Sequence, residues 1–163
     1  NTVGTLLRFN GMISDSVYRL LGIVPEYISS YDARKYSFPS LLAIRNFNKK
    51  GERYPIKDIK KAIKANNIVL FGAFAWDIGK KDVMLGLIAD KYPEIDWVYD
   101  KHGELKKENF DASDSAICCL GFVNKELYGE MEPKVINVVE TEQYINYKVL
   151  VWGQTYKHKI RIT

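Results

Sequence analysis

The texture of this chain changes near Pro133, and that change constrains the fold more than any other feature. Upstream, helical spacing of apolar residues dominates; downstream the runs are β-type. Three β-type runs cover residues 134–140, 144–152 and 156–162, and Gly153-Gln154 between Trp152 and Thr155 is a hairpin signal. A chain built this way is α/β with an antiparallel β meander appended at its C-terminal end. The reading divides it into residues 1–130 and an added β-strand module, 131–163.

The upstream part reads as helices broken by short extended runs. Residues 5–21 are helical, with Leu6, Leu7, Met12 or Ile13, Val17 and Leu20 or Leu21 on one side. Gly11 inside this helix predicts close packing against another element, and Gly22 predicts its cap. Residues 23–29 read as a strand. Ser29, Ser30 and Asp32 then cap a helical turn through Ala33-Arg34-Lys35, which Phe38-Pro39 breaks. A helix is predicted over 55–65, with Ile56, Ile59 and Ile63 as its apolar stripe and Asn66-Asn67 at its end. Residues 68–76 are β-branched and aromatic and read as a strand. Helices follow over 80–92 and 111–128, separated by a polar loop.

Composition sets outer bounds. The 163 residues suit one ordinary domain, and 47% apolar content is enough for a core, which excludes a disordered chain. No apolar run approaches the roughly 18 residues of a membrane span. The net charge of +4 permits a nucleic-acid partner without requiring one. Cys118 and Cys119 are adjacent, have no third cysteine to pair with, and read as small core residues in a reducing compartment. Asn1 stands where a Met would start a chain, and no secretory signal follows it, so the sequence reads as a processed chain or a piece of a longer one.

Several chemistries are excluded by missing motifs. No Walker-type glycine loop, Gly-x-Ser-x-Gly elbow or Cys-x-x-Cys is present. What remains is one acidic pair and several basic clusters. Asp111 and Asp114 lie three residues apart on a helix and so share a face. Two carboxylates so placed suit Mg²⁺ or Mn²⁺, with water and a phosphate completing the shell. The same Asp-Ala-Ser-Asp also reads as a helix cap with an acid at its third position. His102, in the polar loop before the pair, is a candidate proton shuttle or a solvated surface residue.

Seven cations between Lys49 and Lys64, and the smaller clusters Arg34-Lys35 and Lys80-Lys81 near helix starts, suit a phosphate backbone. The long cluster also reads as the solvated face of a polar helix.

Three segments, in order, resemble RuvC-type Holliday junction resolvases of the RNase H-like superfamily. Leu6-Leu7-Arg8-Phe9-Asn10-Gly11 and Val24-Pro25-Glu26-Tyr27-Ile28 are similar to that family's helix and following strand, with Ser29-Ser30 and Arg34-Lys35 in the turn and basic helix start. Lys80-Lys81-Asp82-Val83-Met84 looks like its phosphate-facing helix. Phe110-Asp111-Ala112-Ser113-Asp114-Ser115-Ala116-Ile117 looks like its closing acidic motif. The likeness covers roughly residues 1–127, and the opening phrase is most like phage-borne members.

The resemblance implies an RNase H-like partial mixed sheet flanked by helices. It implies a metal-dependent endonuclease acting on branched or junction DNA in recombination, working as a homodimer in the cytoplasm of a bacterial or phage-infected cell. Asp111 and Asp114 would be catalytic metal ligands, and Arg34, Lys35, Lys80 and Lys81 would hold DNA. The family's Asp-bearing first strand and Glu-bearing later strand have no counterpart here, so the chain alone is expected to be catalytically impaired. The alternative is a noncatalytic RNase H-like module that binds DNA or a protein.

Overall fold

A computed structural model describes residues 2–162. The chain is mixed α/β, with five α-helices and two antiparallel sheets among these residues. The order is α1 (Thr2–Leu21), α2 (Ser30–Ser37), β1 (Leu42–Ile44), α3 (Ile56–Lys64), β2 (Ile68–Leu70), α4 (Lys80–Lys91), α5 (Phe110–Tyr128), β3 (Lys134–Glu140), β4 (Tyr144–Val151) and β5 (Gln154–Arg161). The β1–β2 pair runs Leu42 opposite Leu70 to Ile44 opposite Ile68. The second sheet is the predicted meander, ordered β3-β4-β5.

The meander's turn falls one residue earlier than the sequence signal. Trp152 and Gly153 both have positive φ, 49° and 76°, and Val151 pairs with Gln154. That is the backbone of a tight two-residue hairpin, whose twist matches the strands. Trp152 tolerates the left-handed conformation because its ring is held between Tyr36 and Tyr128, with centroids 5.7 and 5.2 Å away.

Strict alternation along β4 buries Ile145, Tyr147, Val149 and Val151. They pack with Tyr36, Leu42, Ile44, Ile59 and Ile63, so one hydrophobic cluster spans the 130/131 boundary. The Tyr147 hydroxyl accepts the Ile44 N–H at 3.0 Å, joining the two sheets through a buried polar contact. A second cluster gathers Ala33, Phe38, Leu41, Phe71, Met84, Leu85, Ile88, Trp97 and Ile117 around α2, α4 and α5.

Three sequence expectations are corrected. Residues 23–29 form no strand; they run as irregular chain with Ile23, Val24 and Tyr27 exposed. An extended segment becomes a strand only where a neighbour completes its hydrogen-bond ladder. Only Ile68–Leu70 of the run 68–76 is strand. The chain turns at Phe71 (φ 59°), and Gly72 lies so close to β1 that a Cβ there would sit 2.1 Å from the Ala43 carbonyl oxygen. Gly11 meets no close neighbour: the space around it is open. Gly22, by contrast, ends α1 as predicted, at φ 67° with its N–H on the Tyr18 carbonyl. From Gly11 to Leu21 no residue of α1 is buried. The side chains of residues 2–7, 9 and 10, Leu6 and Leu7 of the expected stripe among them, lie outside the described ones.

Candidate metal and nucleic-acid site

The site is set by how α2 docks on α5. Gly121 lets the helices approach until a Cβ on it would lie 2.5 Å from the Ala33 carbonyl oxygen. The Ser37 hydroxyl donates to the Ile117 carbonyl at 2.8 Å, and the Asn124 amide donates to the Tyr36 carbonyl at 2.9 Å. These contacts fix the register that carries Arg34 to Asp114, Nη2 to Oδ1 3.5 Å. From α4, Lys81 reaches the other oxygen, Nζ to Oδ2 3.3 Å. Ser29 anchors the start of α2: its hydroxyl oxygen accepts the Asp32 N–H and its O–H donates to the Asp32 carboxylate.

Beside this ion pair lies a cleft of about 220 Å³, lined by Ser30, Tyr31, Arg34, Phe71 and Lys80. Lys80 rests over the Trp76 and Phe71 rings, 4.5 and 5.7 Å from their centroids, and Lys81 over Phe110 at 5.4 Å. Aromatic faces hold these ammonium groups without neutralising them. Arg34 and Lys81 meet Asp114 and Lys80 stands in the adjoining cleft, so the cluster sets three cations beside the two carboxylates Asp111 and Asp114.

Asp111 occupies the first turn of α5 and is exposed, without an ion pair among the described residues. The capping reading of Asp-Ala-Ser-Asp is overturned. A 3-10 turn at Lys107–Asn109 leads into the helix, which begins at Phe110, and Asn109 at the cap position makes no side-chain capping bond. The Asn109 amide is engaged elsewhere: it accepts from the Val98 N–H and donates to the Val98 and Lys106 carbonyls. These bonds pin the loop before α5 and so place the acidic pair.

Asp111 and Asp114 are the two carboxylates this site offers a hard cation, and Asp114 already meets Arg34 and Lys81. Mg²⁺ is commonly held by one or two carboxylates with waters. No group of three or more His, Cys, Asp or Glu capable of holding a metal gathers anywhere among the described residues.

The remaining sequence candidates lie apart. Lys35 turns to Asp32, 3.7 Å away, and over the Tyr36 ring. His102 sits exposed on a turn whose N–H groups bind the Asp100 carboxylate, and no hydrogen bond joins it to Asp111 or Asp114. Those backbone N–H groups, from Glu104 first and His102 next, hold Asp100 below the usual carboxylate range. In the 49–64 cluster, Lys60 bonds the Glu140 carboxylate and Arg53 the Arg161 carbonyl, so both serve tertiary contacts.

Cys118 packs against the second core cluster as expected, whereas Cys119 does not. Cys119 is exposed and Cys118 half-buried. Burial, then Asp114, pushes the Cys118 thiol up, against nucleophilic use.

The sequence reading missed Ser30, Tyr31 and Phe71 as walls of the cleft, since only tertiary packing brings residue 71 beside α2. No family model, curated protein or solved structure matches this chain. No described helix is long and apolar enough to cross a membrane.

Proposed function

We propose that this chain acts on branched DNA as part of a metal-dependent endonuclease of the RuvC-type, RNase H-like kind. The observation that carries the reading is the convergence of Arg34 and Lys81 on Asp114, one turn from the uncapped Asp111, with Lys80 in the adjoining cleft. Acids set within a cationic rim suit a site that faces a phosphodiester. Asp111 and Asp114 would hold Mg²⁺ or Mn²⁺, and the bound cation supplies Lewis-acid polarisation of the phosphoryl group. Arg34 and Lys81 orient the Asp114 carboxylate and, with Lys80, hold the DNA backbone. The homodimer implied by the resemblance belongs to this reading and is checked by molar mass in solution.

A second reading, a noncatalytic DNA-binding module, draws on one specific observation: Asp114 already has two cationic partners. The test is cleavage of a four-way junction by the full-length protein with Mg²⁺ or Mn²⁺, together with salt-dependent binding of the same DNA. The nuclease reading expects cleavage that disappears in the Asp111→Asn, Asp114→Asn double variant; undiminished cleavage by that variant overturns it. Binding without cleavage, weakened by Arg34→Ala with Lys81→Ala, assigns the chain to the second reading.

A further inference from the structure

The outward face of the C-terminal sheet is rich in basic residues, set among Ile136, Val139 and Leu150. Alternation along β4 and β5 sends Lys148, Lys157 and Lys159 to the side away from the core, and Lys148 stands directly across from Lys157. Lys134 and Arg161 extend the same face at its two ends. No acidic residue of the three strands shares it: Glu140 pairs with Ile145 on the inner side and turns its carboxylate to Lys60. None of these five cations enters an ion pair among the described residues. Like charges placed directly across a strand pair oppose sheet formation. The arrangement therefore costs stability in the free protein, a cost that a bound polyanion would remove.

The face has a shape as well as a charge. A bulge between Ile136 and Val139, with Asn137 at φ 52°, bends β3 beside the lysines. The resulting groove, of about 500 Å³, is lined by Asn137, Val139, Asn146, Lys148, Lys157 and Lys159, so apolar surface sits beside the charge. Successive outward residues on one strand are about 6.6 Å apart and neighbouring strands about 4.8 Å, so Lys148 on β4 lies close to the row Lys157, Lys159 and Arg161 on β5.

Aromatic surface is scarce: Tyr144 is the one aromatic ring on this face of the strands, and Lys159 covers it, Nζ 3.6 Å from its centroid. A single strand of nucleic acid binds largely by stacking its bases on exposed rings, which this face does not offer. A duplex turns its bases inward and its phosphates outward, and needs only the charge and amide donors present here.

We propose that the β3–β4–β5 outer face is a docking surface for the phosphate backbone of duplex DNA, separate from the Asp111–Asp114 site. It rests on none of the argument for that site.

The test is fluorescence anisotropy of the full chain with a short random-sequence duplex over a range of salt. One variant combines Lys148→Ala, Lys157→Ala and Lys159→Ala; another replaces the same three lysines by arginine. Circular dichroism establishes that both fold. The expected result is affinity at least tenfold weaker in the alanine variant and a salt slope shallower by about 2 to 3, since each phosphate contact contributes roughly 0.9 to it. The arginine variant retains binding. The proposal is overturned if the wild type binds no duplex, or if the alanine variant keeps the wild-type affinity and slope. It is also overturned if the chain binds anionic phosphatidylserine vesicles but not duplex, or prefers a single strand of equal length. Arg34→Ala with Lys81→Ala, assayed alongside, reports separately on the other site.

Discussion

The C-terminal sheet and the described part of helix α1 both carry large apolar residues, yet the sheet buries its own and the described part of α1 does not. In β4, Ile145 and Val149 are 1% and 0% exposed; in α1, Met12 and Leu20 are 70% and 82% exposed. The sheet buries its residues because a strand projects one whole face in a single direction, and β1, α3 and Tyr36 cover that face. The described part of α1 turns its apolar residues to solvent, and its link to the following segment includes a Ser14–Tyr27 hydrogen bond. Apolar periodicity marks a surface that can be buried; the folded chain decides whether it is.

The widest test of this contrast is truncation on each side. Ile145→Ala should cost about 2–5 kcal/mol in urea unfolding, from lost transfer energy plus the cavity left behind. Leu20→Ala should stay within about 0.5 kcal/mol, as for an exposed site. Equal losses would erase the distinction.

Helix contacts offer the next. Gly121→Ala should destabilise by about 1–3 kcal/mol, because the added carbon meets the Ala33 carbonyl. Gly11→Ala, in open space, should be neutral or slightly stabilising, as the better helix former replaces the poorer. The Gly121 change should also weaken DNA binding through Arg34, readable in the same anisotropy assay.

A smaller effect is expected at the polar contact between the sheets. Tyr147→Phe leaves the Ile44 N–H without its partner in a dry position and should cost on the order of 1 kcal/mol. Burial pushes the Tyr147 phenol up to about 12, so the contact persists across the accessible pH range.

The smallest involves His158, stacked on Tyr147 with ring centroids 5.3 Å apart and its Nε2 buried without a partner. Burial holds its pKa below the usual imidazole value, against a weaker opposing bond to the Leu42 backbone. The unfolded chain then takes up a proton at a higher pH than the folded one. Stability contributed by the neutral ring is complete above about pH 6.5 and is lost as the pH falls below it. His158→Gln should flatten that part of the stability–pH curve. An unchanged slope would show that the ring does not titrate differently on folding.

Much of the local structure was legible. The helices α2 to α5 follow from period and end signals: Ser29 before α2, Pro55 before α3, and Asn66-Asn67 after it. The three meander strands follow from their β-type runs and the glycine at the hairpin. The acidic pair was placed on one helix face by spacing alone, and α5 does present it in its first turn and next. The basic sheet face was less visible. A search for runs of charge finds 49–64 and overlooks lysines spaced two apart, whose common direction appears only once the segments are strands.

The sequence by itself determined which segments are helices, which are strands late in the chain, and which residues carry charge, because these depend on neighbours within a few positions. Only the tertiary structure decided that residues 23–29 join no strand ladder, and that Phe71 turns the chain against β1. It alone brings Arg34 and Lys81, 80 and 33 residues away in sequence, to meet Asp114. Hydrogen-bond ladders and ion pairs need a partner at a few ångströms, and distance in space is set by how the helices pack at Gly121 and how the meander closes over β1.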